Sequence, residues 1–280
     1  GGIISPAWKK VLVQALEEGF DLASGLHNLL RDEPDLKAVA EATGRSLHDV
    51  RVPAVKYPIA NGIKRSGKRC LAVGTDCSVG KMYTALCMEK EMRARAMKAT
   101  FRATGQTGIL ITGNGVPLDA VIADFIAGAA ESLTIEAAAE ADIVLVEGQG
   151  SIIHPAYSGV TLGLMHGALP HAMVLCAQPS RTTIHRNPWV PIPSLSEMIR
   201  LYESAMEPLR PSPVIAIALN TFDLDDREAR EAIERARAET GLPTTDPVRY
   251  EPLVIAEAIS AFHVERVADR TVLIPPAIFG

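Results

Sequence analysis

Aromatic side chains are scarce in this sequence of 280 residues, at 5% against 48% hydrophobic overall, so its interior has to be packed with Val, Ile, Leu and Ala between helices and a sheet. Paired cysteines are lacking as well. Cys70, Cys77, Cys87 and Cys176 contain no CxxC and no metal-ligand spacing, which excludes a disulfide framework and fits free thiols in a reducing compartment. No apolar run reaches the roughly 20 residues that a membrane span needs, and the N-terminus shows no signal-peptide pattern. Nor is there a basic excess: a formal charge of −5 with scattered Lys and Arg leaves no footprint for a nucleic-acid backbone or an anionic bilayer. These absences point to a cytoplasmic protein that handles small molecules, without nucleic-acid or membrane partners and with no bound metal.

What is present alternates between helix and strand. The length suits a main domain with a smaller lobe, and we place the lobe at residues 1–62 and the main domain at 63–280. Ser5 reads as an N-cap with Pro6 at the first helical position. Apolar spacing from Trp8 to Glu18 predicts a helix that Gly19 ends, followed by a strand over Phe20 to Ala23 and a second helix from Gly25. A helix near Leu36 to Ala42 and an extended stretch from Asp49 to Val55 complete this partial, Rossmann-like lobe, which starts without methionine and reads as truncated. The basic stretch Ile63 to Arg69 reads as a linker.

Beyond it, Cys70–Val73, Ile143–Val146, Ala172–Cys176 and Val214–Leu219 are buried-strand runs separated by helix-compatible segments. Such alternation implies right-handed crossovers and a parallel sheet with helices on both faces, an α/β architecture of the P-loop NTPase type. Ligands on such sheets sit beyond the carboxyl ends of the strands.

One of those ends carries Gly74, Thr75, Asp76, Cys77, Ser78, Val79, Gly80 and Lys81, which fits G-x-x-x-x-G-K between a predicted strand and a helix from Lys81 to about Ala96. The glycines let the backbone curl so that N–H groups converge, the helix start adds positive potential, and Lys81 neutralises phosphate oxygens. Met82 and Tyr83 follow. Met82 stands where a hydroxyl would hold Mg²⁺, and a thioether is a poor ligand for a hard cation. Phosphoryl transfer leans on that metal, whereas gripping a pyrophosphate does not.

Other strand ends add polar groups. Arg102, Thr104 and Gln106 follow the next strand and are expected beside the phosphate loop, facing a substrate anion or amide, with Asn114 and Asp119 close behind. Glu147 ends a buried strand, where it is open to three roles: metal ligand, general base if burial raises its pKa, or cap for nearby backbone N–H groups. The segment Ser151 to Gly167 carries His154, Tyr157, Ser158, Thr161 and His166 and reads as an active-site loop. Arg181 and Arg186 offer planar forks for carboxylates or phosphates, and Asn220 ends a strand where many P-loop proteins contact the base.

Taken together, GTDCSVGK, FRATGQTG, GNGVPLDAVIADFIAGA, VEGQGSIIHPAYSGVTLGLMHG and IALNT resemble the DgcN-type D-glutamate N-acetyltransferases, formerly an uncharacterised P-loop family, over nearly the whole chain from Ser24–His27 onward. The resemblance implies a smaller N-terminal domain, a C-terminal P-loop domain, and transfer of acetyl from acetyl-CoA to the amine of D-glutamate in D-amino acid catabolism. In that frame the loop from Gly74 to Lys81 holds the coenzyme pyrophosphate and Asn220 lies near its adenine. Arg102, Arg181 and Arg186 clamp the substrate carboxylates, with Gln106 beside them. Glu147 or His154 takes the ammonium proton, and His166, Asn114 or a loop N–H near Gly148 faces the oxyanion. A homo-oligomer, a dimer, is the expected assembly. The loop and the VEG strand end also resemble dethiobiotin synthetase, so an ATP- and Mg²⁺-dependent ligase or kinase acting on a small carboxylate is the alternative, and a non-catalytic nucleotide-binding module is a third.

Overall fold

The computed structural model describes residues 2–62 and 67–262. Helix α1 (Pro6–Glu17) begins as its sequence requires, with Ser5 accepting a hydrogen bond from the Trp8 amide and Pro6 at the first position. Strand β1 (Leu22–Ser24), helix α2 (Pro34–Thr43) and strand β2 (Leu47–Asp49) follow, and β1 and β2 pair in parallel. Their own small core joins Ile4, Leu16, Leu22, Leu30, Leu36 and Ala40.

The helix expected from Gly25 does not form. The Ser24 hydroxyl accepts the Leu26 amide, and the Asp49 carboxylate accepts the amides of Leu30 and Arg31, so side chains satisfy this backbone in a turn instead. Extended structure at Asp49 likewise stops at once, since β2 ends on that residue. The lobe's strand starts at Leu22 rather than Phe20. Of the expected linker, Lys64 and Arg65 lie outside the described residues, while Lys68 and Arg69 already belong to a strand.

That strand, β3 (Lys68–Gly74), opens the main domain and is followed by α3 (Lys81–Ala94), β4 (Ala99–Arg102), α4 (Gln106–Thr112), α5 (Ile126–Glu140) and β5 (Ile143–Val146). Next come α6 (Ser158–Ala168), β6 (Ala172–Ala177), a hairpin of β7 (Thr183–Ile184) and β8 (Asn187–Pro191), and α7 (Leu195–Met206). The described chain closes with β9 (Val214–Leu219), α8 (Asp226–Thr240), β10 (Thr244–Thr245) and α9 (Leu253–Ala261). A six-stranded parallel sheet runs in the order β10-β9-β6-β3-β5-β4.

Strand alternation splits the core between the two faces of the sheet. Leu71, Val73, Val144, Val146, Met173 and Leu175 pack with α5, α6, α7 and α8 on one side, while Cys70, Ala72, Leu145, Val174 and Cys176 meet α3 and α9 on the other. Helices therefore cover both faces, as the apolar runs demanded. β3 occupies the middle of the sheet with β5 and β6 as neighbours, so the loops after these three strands converge. β4 lies at the edge, beyond β5.

Candidate active site

Between β3 and α3 the chain curls tightly. Ser78 and Gly80 both adopt positive φ, at 55° and 104°, a backbone state that only glycine takes without cost. Lys81, 6% exposed, turns back so that Nζ donates to the Asp76 carbonyl at 2.7 Å. Burial lowers its pKa, against the pull of Cys77, Cys176, Asp76 and Glu147. Beneath the loop, the buried Tyr202 hydroxyl donates to the Gly74 carbonyl at 2.7 Å and accepts the Ile152 amide at 3.1 Å, which fixes the phosphate loop and the Ser151 segment to one another. Burial pushes that phenol up to about 12, so it remains a donor. Tyr202 had no sequence signal beyond its place on an amphipathic helix.

The Asp76 carboxylate accepts from Arg181 Nη1 at 2.8 Å, from the His185 amide at 2.7 Å and from the Cys77 amide at 2.6 Å. Arg181 also donates to the Cys77 carbonyl and to Gln178. It thus lies across the phosphate loop, whereas Arg186 is exposed at the tip of the β7–β8 hairpin with φ 64°. Asp76, Cys77 and His154 bring possible metal-ligating atoms within 4.8 Å of one another. The engagement of Asp76 with Arg181, and the nearby Lys81, make this a poor place for a cation. Met82 packs its thioether against the hydrophobic cluster of α3 and the sheet.

Glu147, immediately after β5, is 6% exposed. Its Oε2 accepts the amides of Thr104 and Gly105 at 2.9 and 3.2 Å, so the carboxylate caps the approach to α4. Burial lifts its pKa to about 7, opposed by those two amide bonds and by Lys81, with the Asp119 charge adding to the rise. The next residue explains how this side chain comes so near the loop: a Cβ at Gly148 would stand 1.7 Å from the Ala72 carbonyl and 2.8 Å from Lys81 Cδ. Only glycine lets the chain cross the end of β3 here. Gln149 extends the same network by donating to Thr104 Oγ1 at 3.0 Å.

His154 is buried and packs against the Tyr157 ring at 4.5 Å. Burial lowers its pKa, with Asp76 opposing and Lys81 reinforcing. Its Nδ1 accepts the Ala156 amide at 3.1 Å, so in the neutral ring Nε2 carries the proton. This tautomer presents a donor, which suits an anion better than it suits the role of proton acceptor.

Several expected site residues lie elsewhere. Arg102 points away from the phosphate loop: Phe101 faces α3, so Arg102 falls on the opposite face, where it bonds Thr100, the Phe101 carbonyl and Glu140 at the end of α5. Those contacts hold the guanidinium away from the phosphate loop, with Nε buried and without a partner among the described residues. With β5 between β4 and β3, Thr104 reaches Glu147 rather than the phosphate loop. Gln106 packs against Gly25 of the small lobe, and Asn114 is exposed in the turn after α4. His166 is also away from the chemistry, since its Nε2 meets the Ala205 carbonyl at 3.1 Å and links α6 to α7. Of the expected active-site loop, only the part before Ser158 is a loop, the rest being α6.

Asn220 lines a groove of about 340 Å³ together with Val79, Gly80, Tyr83, Phe222 and the Asp246–Arg249 turn. Asp246 builds that turn by accepting the amides of Thr221, Val248 and Arg249. Tyr83, Phe222 and Val248 are exposed, at 57%, 75% and 64%, which gives the groove an apolar rim of the size and kind a heterocyclic base covers. The phosphate loop and this groove share Val79 and Gly80, so the two form one continuous surface that could hold a phosphate-bearing ligand and its base.

Residues 1–53 match a domain of unknown function described as the Rossmann-like DUF1611_N, and residues 58–255 match the P-loop domain DUF1611_C. A D-glutamate N-acetyltransferase of Tritonibacter scottomollicae is 59% identical over 93% of this chain and 78% of that protein. Another protein of that name from a Pseudoalteromonas species is 42% identical over 89% of this chain and 75% of its own length. The crystal structure of a DUF1611 family protein from Anabaena variabilis, 42% identical, superimposes with a TM-score of 0.88 over 93% of this chain and 77% of its own.

Proposed function

The chain belongs to the DUF1611 family, and from that premise we propose that it is an N-acetyltransferase that moves the acetyl group of acetyl-CoA to the amine of D-glutamate. The observation that carries this reading is a G-x-x-x-x-G-K loop whose Lys81 lies near a buried carboxyl, Glu147, that burial lifts to about 7. Two relatives named for that activity support it, and a role in D-amino acid catabolism would follow.

Acetyl transfer needs a neutral amine, a route for its proton, and donors for the charge that develops on the thioester oxygen. The amide nest and Lys81 would hold the coenzyme pyrophosphate, and the groove at Asn220 its adenine. Acetyl-CoA supplies the activated acyl carbon. Glu147, ionised on the basic side of about 7, would take one proton from the substrate ammonium. The freed amine attacks the thioester carbonyl, the C–S bond breaks, and the departing thiolate takes up the proton that the nitrogen sheds as it becomes the amide. His154, with its proton on Nε2, is a donor available to phosphate or oxyanion. Met82, partly buried against the core, offers no hydroxyl for Mg²⁺, in keeping with a reaction that transfers no phosphoryl group.

Thiol release from acetyl-CoA on addition of D-glutamate, undiminished by a chelator, is the expected result. No thiol release under any metal condition would refute the reading, and Mg²⁺-dependent ATP turnover would replace it with the ligase alternative. K81A should weaken acetyl-CoA binding in calorimetry by about tenfold or more, the cost of one charge-assisted contact.

A further inference from the structure

The junction between the small lobe and the main domain holds a cation that the chemistry above does not use. Both lobe strands are parallel, so their carboxyl ends open on the same side. The Ser24–His27 turn follows β1, and Arg51 lies two residues past the end of β2. Gly25 of that turn meets Gln106 at the start of α4, bringing this edge against the main domain.

Arg51 is 7% exposed. Its Nη2 contacts His27 Nε2 at 2.9 Å and the Asp119 carboxylate. Nη1 and Nε have no partner among the described residues. Asp119 is positioned in turn by its neighbour Leu118, whose amide donates to the Thr104 carbonyl at 3.0 Å. The Thr104 amide is the one that donates to Glu147. One hydrogen-bonded run therefore joins Arg51 to the buried carboxyl, and the Asp119 charge is felt at both Glu147 and His27.

Only Nη2 of the guanidinium is engaged among the described residues, and the other donors are not among the buried unpartnered atoms, so they stay open to a ligand at the junction; the planar fork is suited to a carboxylate. We propose that Arg51 is the anchor for a carboxylate of the amino-acid substrate, so that the small lobe, rather than the arginines near the phosphate loop, recognises the acid. This rests on the acetyltransferase reading. Asp119 balances the guanidinium charge before substrate arrives, and a substrate held at Arg51 lies in the same junction as Glu147.

Steady-state kinetics of R51Q and R51K, with D-glutamate and acetyl-CoA varied in turn, test the anchor. R51Q should raise the KM for D-glutamate at least about tenfold while the KM for acetyl-CoA stays within about twofold. R51K keeps the charge beside Asp119 but loses the fork, and should lie between wild type and R51Q. If R51Q shows no cooperative melt, R51K decides: a D-glutamate KM raised with an unchanged acetyl-CoA KM supports the anchor. An unchanged D-glutamate KM in a folded variant, or equal rises in both KMs, overturns it. Wild-type protein that acetylates no D-glutamate removes the underlying reading instead, and is told apart because it needs no variant.

Discussion

Replacing Glu147 by Gln tests the buried carboxyl through stability and turnover together. The amide has nearly the same shape and its oxygen can still accept from Thr104 and Gly105, but it cannot ionise. In the wild type, a pKa moved from 4.5 to about 7 means that the folded state holds the proton more tightly than the unfolded state does. The associated stability is fully present below 4.5 and is lost as pH rises through about 7. The total loss amounts to about 3 kcal/mol at ~1.4 kcal/mol per tenfold change. Between about pH 5.5 and about pH 8.5, some 2 kcal/mol of it should disappear from the wild type and not from E147Q. For a protein of this size that is a relative Tm change of roughly 4–8 °C, with the variant gaining on the wild type as pH increases. Paired thermal melts across that range read the difference directly, since every other titrating group is common to both. Turnover should fall by about 10²–10⁴ in E147Q, and the wild-type kcat/KM should climb as pH passes about 7. A Tm difference independent of pH, or an E147Q enzyme with wild-type turnover, would refute the argument.

Other perturbations follow from the same geometry. D119N removes a negative charge that helps raise the Glu147 pKa, so the rising limb of the kcat/KM profile should move to lower pH; an unmoved limb would show that the two carboxylates do not communicate. G148A forces a Cβ to within 1.7 Å of the Ala72 carbonyl in the central strand and should cost more than about 3 kcal/mol or abolish soluble expression. G159A, in open space on α6, should be neutral or stabilising by about 0.5–1 kcal/mol, so equal behaviour of the two glycine variants in denaturant melts would contradict this packing. H166A gives up its contact with the Ala205 carbonyl and should lose about 1 kcal/mol of stability with kcat and both KM values preserved; a large fall in kcat would return His166 to the chemistry.

The architecture was legible because it follows from local rules. Apolar runs at Cys70–Val73, Ile143–Val146 and Val214–Leu219 lie where buried parallel strands form, and G-x-x-x-x-G-K carries its own geometry through glycine freedom and a helix start. Strand order was not legible, because sheet neighbours are chosen by crossover packing over long sequence distances. Insertion of β5 between β3 and β4 took Arg102 and Gln106 away from the phosphate loop and brought Glu147 to it. A strand's alternation sends every second side chain to the opposite face, and that sent Arg102 to Glu140. His166 was misplaced for a related reason: a histidine on a helix has no direction until the neighbouring helix is known, and α7 supplied a carbonyl for it.

Sequence by itself determined the main-domain strands and their alternation with helices, the phosphate loop and the candidacy of Glu147, since each depends on residues within one turn or one strand. Only the tertiary structure decided which charges share a site. Arg51 and Asp119 lie far apart along the chain and meet because two sets of parallel strands open their carboxyl ends toward a common junction. Coulomb energy and desolvation depend on distance through space, and that distance is set by packing rather than by spacing along the sequence.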